Sequence, residues 1–376
     1  MKEPSLTDRW LPRGAFLSAL LLLPFLALRG GDLETATQGL NPGMTPGPEA
    51  HIQADLAEAG DGGAAGVAAP EPAFVPLLPV GPARAGRRGA EVFAPREAPF
   101  PVEANGVEIR FGIQAVTLLP GEVLHVAAPP EALLLDVDGP IPAVAPGHWN
   151  WTAPEGPGAV PLRLQGPGGM VDLNILVMRS MDEVVNGRLN GYRIGQYAGD
   201  PASPNPLHRP PLGFVEVHPD DEDILVTPHF TLGQFLCKDP GDPRYLVLSD
   251  ALPVKLEAIL EAVNEAGFDT PTLHVMSGYR TPAYNRAIGN TTDFSRHLWG
   301  DAADIFIDTT GNGMMDDLNG DGRVDDEDGR LLMRIVESVD RSGAPGVKPG
   351  GISLYRTIPG RGPFLHVDAR GTHARW

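Results

Sequence analysis

The sequence predicts an α+β fold for its C-terminal part, a small antiparallel sheet with flanking helices, preceded by a small all-β module. Two observations predict it. Between about 100 and 180, short alternating apolar segments are separated by Pro/Gly turns such as "PPE", "PGH" and "GPGG". From 181 onward, segments of helical periodicity alternate with short strand-like runs.

The bulk properties set limits on both parts. A chain of 376 residues has room for two modest domains plus tails, and a hydrophobic share of 42% is enough to bury cores. The net charge of −19 argues against nucleic acid and anionic lipid as partners, and its simplest reading is solubility. The single cysteine, Cys237, excludes an internal disulfide framework and a thiolate metal cluster. Within "FTLGQFLCKD" it reads as a small buried hydrophobe.

Residues 1–30 place Lys2, Arg9 and Arg13 ahead of an apolar run from Ala15 to Leu28. That run has the length of an export-signal core and is short for a membrane span. No clean small-x-small cleavage site follows, so a cleaved signal and an uncleaved membrane tether both remain open. An exported, cysteine-poor chain fits the bacterial periplasm or cell envelope. Residues 31–98 are rich in Ala, Pro and Gly and read as a disordered linker, with too little apolar surface to offset chain entropy.

The 99–180 module shows five strand-like segments, "GVEIRFGIQAVTLL", "EVLHVAA", "ALLLDVD", "AVPLRLQ" and "MVDLNILVM", and reads as sandwich-like. Trp149 and Trp151 in "HWNW" can stack on sugar rings, but such residues are more often core or rim aromatics. In 181–376, "SDALPVKLEAILEAVNEAGF" has Ser249 as its expected N-cap, Leu256, Ile259, Leu260 and Val263 on one face, and Gly267 to close it. "TLHVM" and "AADIFID" read as strands, with "SGYRTPAYNRAIGN" as a turn and short helix between them. "GRLLMRIVESVDRSG" is a helix with Leu331, Leu332, Ile335 and Val339 inward, and "GGISLY" and "FLHVD" are the final strands.

Chemistry concentrates in "SRHLWGDAAD", residues 295–304. Gly300 allows a tight turn, so His297 and Asp304 can face one another. In "FLHVD", strand alternation puts His366 and Asp368 on one face and Leu365 and Val367 on the other. Two histidines and one carboxylate are a common ligand set for catalytic zinc with an open fourth position. A zinc ion so held lowers the pKa of bound water to about 7 and polarises a carbonyl.

"SGYRTPAYN", "SRHLWGDAAD" and "FLHVDARG" occur in that order, together with "HFTLGQFLC" and "GGISLY". Residues 228–376 thereby resemble the zinc D-Ala-D-Ala carboxypeptidase and murein endopeptidase family, whose fold is also that of the hedgehog signalling domain. The resemblance implies zinc on His297, Asp304 and His366, with Arg280 on the substrate's carboxylate or the developing oxyanion. It also implies Ser295 as a site-lining hydroxyl, peptidoglycan as the partner, and hydrolysis of a peptide bond in a stem or cross-bridge. The sequence departs from the family where some branches carry the general base, since Pro363 and Phe364 occupy those positions. Asp368 is then either the base or an acceptor that orients a ligand histidine. The departure also leaves open a zinc-stabilised cell-wall binding module without catalysis.

A second pattern lies in an insertion at 308–328. "DLNGDGRVDDED" matches a calcium loop. Asp317, Asn319, Asp321, the Arg323 carbonyl, Asp325 and Asp328 are the expected oxygen ligands, Gly322 the turn and Val324 the core anchor. The preceding "DTTGNGMMDD" reads as a degenerate second loop. An acidic, glycine-rich surface insertion without Ca2+ is the alternative.

Overall fold

The structure, a computed structural model, describes residues 96–376. The apolar run at 15–28 and the Ala/Pro/Gly-rich stretch as far as residue 95 lie outside the described residues. Among the described residues no helix is long and apolar enough to cross a membrane.

Two sheets build the region from about 100 to 177. One orders Val107–Glu108, Glu103–Ala104, Val123–Ala127 and His148–Thr152; the other orders Ile113–Leu118, Gly169–Val177, Gly158–Gly166, Leu133–Asp136 and Gly139–Pro140. Their alternating apolar residues meet in one cluster, which includes Leu124, Leu134, Leu162, Leu164, Leu173 and Ile175. Trp149 is 2% exposed within that cluster, and Trp151 packs against it. Both tryptophans are therefore core aromatics, and "HWNW" is a strand that the sequence pattern did not show as one.

A second and larger cluster occupies the rest of the chain. Cys237 is buried within it, as expected of a small hydrophobe. Helix Ala251–Glu265 contributes Leu256, Ile259, Leu260 and Val263. It begins one residue later than Ser249 capping predicts: Asp250 stands at the N-cap, and the Ser249 hydroxyl accepts from the Ala251 amide at 3.4 Å. Helix Asp326–Ser342 contributes Leu332, Val336 and Val339, while Leu331 and Ile335 flank this line half-buried. Each such side chain stabilises the fold by about 1.5–3 kcal/mol on burial.

These helices cover one face of a five-stranded sheet, ordered His274–Ser277, Ala302–Phe306, Phe364–Asp368, Gly351–Tyr355 and Ala374–Arg375. All neighbouring pairs are antiparallel except the last, in which Ala374–Arg375 runs parallel to Gly351–Tyr355. Ile305, Ile352, Leu365 and Val367 face the helices. Alternation then turns Asp304, His366 and Asp368 to the opposite face. Helices and antiparallel strands on one core make this part of the chain α+β.

Candidate metal centre

The sheet register assembles the site. Ser277 pairs with Asp304, Asp304 with His366, and His366 with Ser353, so the four form one row across the strands. Residues directly opposite on one face have Cβ atoms about 4.5–5.5 Å apart, close enough for their side chains to meet. His297 reaches the row from outside the sheet, on the 3-10 turn Arg296–Trp299. That turn ends at Gly300, whose φ is +64°. A Cβ there would run into the Val247 carbonyl, so the close approach as well as the dihedral requires glycine.

Three atoms converge. Nε2 of His297, Nδ1 of His366 and Oδ1 of Asp304 lie 3.2 Å from one another in all three pairings. An ion with tetrahedral ligands at about 2.0–2.1 Å separates its ligand atoms by about 3.3 Å, so the triangle has the dimensions of one face of such a site. Among the described residues this is the one set of three or more His, Cys, Asp or Glu side chains gathered closely enough to hold a metal.

The hydrogen bonds behind the triangle set the tautomers. His297 Nδ1 donates to the Gly278 carbonyl at 2.7 Å, which leaves the Nε2 lone pair directed at the site. His366 Nε2 lies 3.4 Å from Asp368 Oδ2, which leaves Nδ1 to act as ligand. Asp304 offers Oδ1, while its Oδ2 accepts from Arg280 Nη2. Ligand imidazoles held by a carbonyl and a carboxylate are the arrangement that fixes ring orientation in metal sites.

The electrostatics agree with a cation site. Burial, reinforced by Arg280, lowers His297 to about 4, so its imidazole is neutral at neutral pH. Burial alone would lower His366 as well, but the Asp304 and Asp368 carboxylates outweigh it and raise the group to about 9. Asp304 is held well below the usual carboxylate range, because His297 and Arg280 outweigh its burial. Two carboxylates that favour a proton on a buried imidazole also favour a metal cation in its place.

The remaining expected residues fall as follows. Asp368 is 0% exposed and lies behind His366. Its Oδ1 accepts from the Gly351 amide at 2.9 Å, and Arg370 Nη2 lies 2.5 Å from Oδ2. Burial would raise it, yet His366 and Arg370 hold it far below the ordinary carboxylate value. A fully buried, strongly acidic carboxylate is a poor proton acceptor, so its position suits orientation of His366. Arg280 directs Nη2 to Asp304 and Nε to the Ser277 hydroxyl, the latter at 2.8 Å. The guanidinium expected to face the substrate is thus paired with Asp304. Ser295 is buried at the start of the His297 turn, where its carbonyl accepts from the Leu298 amide at 3.0 Å. Among the described residues its hydroxyl has no hydrogen bond to the three ligand side chains.

Sequence reasoning missed several supports. Arg370 continues the 366, 368 alternation, which was the available signal. Trp376 rests against His366, with ring centroids 5.2 Å apart, and its carbonyl accepts from the Ser353 hydroxyl at 2.8 Å. A Cβ at Gly351 would collide with the Asp368 carboxylate and the Trp376 ring. No periodicity announces that contact.

Among the described residues the acidic members of the expected calcium set, Asp317, Asp321, Asp325 and Asp328, do not form a group of three or more side chains close enough to hold a metal ion. Asp317 accepts from the Gly320, Asp321 and Gly322 amides. Asp321 accepts from Arg323 N, and Asp325 caps the following helix through Glu327 N. Asn319 Oδ1 accepts from Asp321 N. Asp328, the expected closing ligand, is 0% exposed; its oxygens accept from Leu318, Asn319 and Asp325 amides. The loop is therefore closed by carboxylate-to-amide capping, the role short acidic side chains take in turns and at helix starts.

No curated protein and no solved structure matches the chain. A family model does match part of it, over a stretch that holds His229, the Ser-Gly-Tyr-Arg segment, His297 and Asp304 and ends before His366. With the His-Asp-His triangle it supports a zinc-dependent peptidase, for residues 228–318 are similar to the family described as Peptidase M15, which consists of zinc metallopeptidases.

Proposed function

We propose that residues 181–376 form a zinc peptidase domain that hydrolyses peptide bonds in peptidoglycan stem peptides or cross-links. One observation carries the reading: three buried ligand atoms from His297, Asp304 and His366 form a 3.2 Å triangle backed by hydrogen-bonded partners. Zinc bound there supplies Lewis acidity and a bound water acidified towards neutrality.

The chain's own residues hold that chemistry in place. Gly278 and Asp368 fix the two imidazoles, and Arg280 leaves Asp304 one oxygen for the metal. The row Ser277, Asp304, His366, Ser353 supplies a rigid sheet beneath them. Peptidoglycan as substrate, and export to the periplasm or cell envelope with or without a membrane tether, rest on the motif resemblance and the N-terminal segment.

A second reading is favoured by the burial of Asp368, which takes the proton acceptor indicated by the sequence out of the site. On that reading the domain is a metal-stabilised cell-wall binding module. Incubating the zinc-loaded protein with purified sacculi, followed by muropeptide analysis, decides between them. New peptide fragments, absent with His366→Ala, are expected. Retention on sacculi without fragments, across several peptidoglycan chemistries, would establish the binding module instead.

A further inference from the structure

Residues 195–209 form a strap that crosses the 3-10 turn carrying His297. The strap lies outside residues 228–318. Pro201, Pro204 and Pro206 restrict the unfolded chain there, so holding the strap on one course costs little entropy. It is anchored at its start. The Ala283 amide donates to the Ile194 carbonyl at 3.0 Å, and a Cβ at Gly195 would collide with Ala283 N. Three side chains then fasten the strap to the turn. Arg296 Nη1 donates to the Leu207 carbonyl at 3.0 Å, and Trp299 Nε1 donates to the Arg209 carbonyl at 2.6 Å. The Tyr197 hydroxyl donates to the Leu298 carbonyl at 2.9 Å. Every residue of the turn Arg296–Trp299 except His297 itself is thus held by the strap.

Tyr197 differs from the other two contacts because it reaches a second segment as well. Its hydroxyl meets that of Tyr279 at 2.9 Å. Burial raises both phenols above their ordinary value, so each hydroxyl keeps its single proton at neutral pH. The Leu298 carbonyl can only accept, and it takes the Tyr197 proton. Tyr279 is therefore the donor to Tyr197, and the two bonds run in one direction, from Tyr279 through Tyr197 to Leu298. Tyr279 is 1% exposed and stands between two residues that support metal ligands. Gly278 before it accepts from His297 Nδ1, and Arg280 after it holds Asp304. The Arg280 amide also donates to the His297 carbonyl at 3.1 Å. The Tyr197 ring stands edge-on to Trp299, with centroids 5.6 Å apart at 84°, which fixes where its hydroxyl lies.

We infer that Tyr197 is a positioning residue for the metal centre: its hydroxyl ties the turn that presents His297 to the segment that backs both His297 and Asp304. Site groups work only when held to within about 0.5 Å of their productive positions. The sheet register does this for Asp304 and His366. His297 lies outside the sheet and has no register to hold it. The chain from Tyr279 through Tyr197 to Leu298 supplies that restraint. The inference rests on the metal-binding half of the zinc peptidase reading, and it gives the strap, on which that reading makes no demand, a part in the site.

The test compares Tyr197→Phe, Tyr279→Phe and the double variant with the wild type. Phe keeps each ring and removes only the hydroxyl. Zinc affinity, measured by competition with a chromophoric chelator, should fall about 10-fold in Tyr197→Phe, the lower end of the loss expected for an outer partner. It should fall less in Tyr279→Phe, which leaves the bond to Leu298 in place. The double variant should lose no more than Tyr197→Phe, since the two hydroxyls act as one chain. The visible absorption of the Co2+-loaded protein, which reads ligand geometry, should shift in Tyr197→Phe. Asp328→Ala, which weakens the fold without touching either segment, should leave zinc affinity and the spectrum unchanged. Unchanged affinity in Tyr197→Phe, additive losses in the double variant, or an equal loss in Asp328→Ala would overturn the inference. A wild type that takes up zinc but releases no fragments from sacculi refutes the peptidase reading and leaves this inference intact. A wild type that takes up no zinc refutes the metal reading. Hydrogen exchange at the Arg280 amide of the metal-free protein, relative to the amides of helix Ala251–Glu265, then decides the role of Tyr197. Faster exchange in Tyr197→Phe supports the brace, and an unchanged rate overturns it.

Discussion

Asp304 and His366 stand directly opposite one another on antiparallel strands, with Oδ1 of the first 3.2 Å from Nδ1 of the second. The register of a single strand pair therefore fixes two of the three candidate metal ligands. A slip of one strand by one residue would turn its ligand to the helix-facing side and separate the two.

Replacing His366 with Ala removes one corner of the triangle. Two ligands hold zinc far less tightly than three. Zinc content after dialysis, measured by atomic spectroscopy, should fall well below one per chain. Full occupancy in a folded variant would disprove the ligand set.

Arg280 fixes the second oxygen of Asp304 and bonds the Ser277 hydroxyl. Arg280→Gln should weaken zinc affinity by about 10- to 100-fold, as loss of an outer partner does. Competition with a chromophoric chelator measures this. An unchanged zinc affinity would show that Arg280 does not support the ligand.

Gly300 combines a φ of +64° with a close approach to the Val247 carbonyl. Gly300→Ala should destabilise the fold by more than about 1–2 kcal/mol, the left-handed penalty alone. It should also disturb the turn that carries His297. Thermal melts and zinc titration report the two effects, and a variant that matches the wild type in both would contradict this account.

Asp340 is a buried hub. It accepts from Lys255 Nζ at 2.6 Å, Arg375 Nη2 at 2.7 Å and the Gly350 amide at 2.9 Å, and meets His373 Nδ1 at 2.7 Å. Burial would raise its pKa, but Lys255 and Arg375 lower it overall. A depressed folded value means its contribution is present above the unfolded value of 3.8 and is lost as pH falls through the folded value. Asp340→Asn, which strands Lys255, should cost about 3–5 kcal/mol at neutral pH. The gap to the wild type should close below about pH 4. Lys255→Met should cost less, because Arg375 and His373 still face Asp340. Denaturant unfolding from pH 3 to 8 checks the order and the slope.

Asp328 accepts from three backbone amides with no exposed surface. Asp328→Ala should lower stability by about 1–3 kcal/mol, since buried donors lose their acceptor. Asp328→Asn, with one acceptor oxygen retained, should fall between. A melting temperature equal to the wild type's in Asp328→Ala would contradict the capping role.

The sequence by itself determined the local features of this protein. Periodicity located the helices at 251–265 and 326–342 and the strands that carry Asp304 and His366, because helix and strand repeats impose different spacings on apolar residues. Alternation around Leu365 and Val367 also showed that His366 and Asp368 share a face. What the tertiary structure decided was the partner of each polar group. Arg280 meets Asp304 from 24 positions away, Arg361 lies over Phe364 with Nε unpaired, and Trp376 reaches His366 only through a parallel strand at 374–375. In the acidic insertion the motif is local, but capping by Asp328 depends on amides nine and ten residues back. Such pairings arise from long-range register and packing, which bring together side chains whose spacing along the chain carries no period to read.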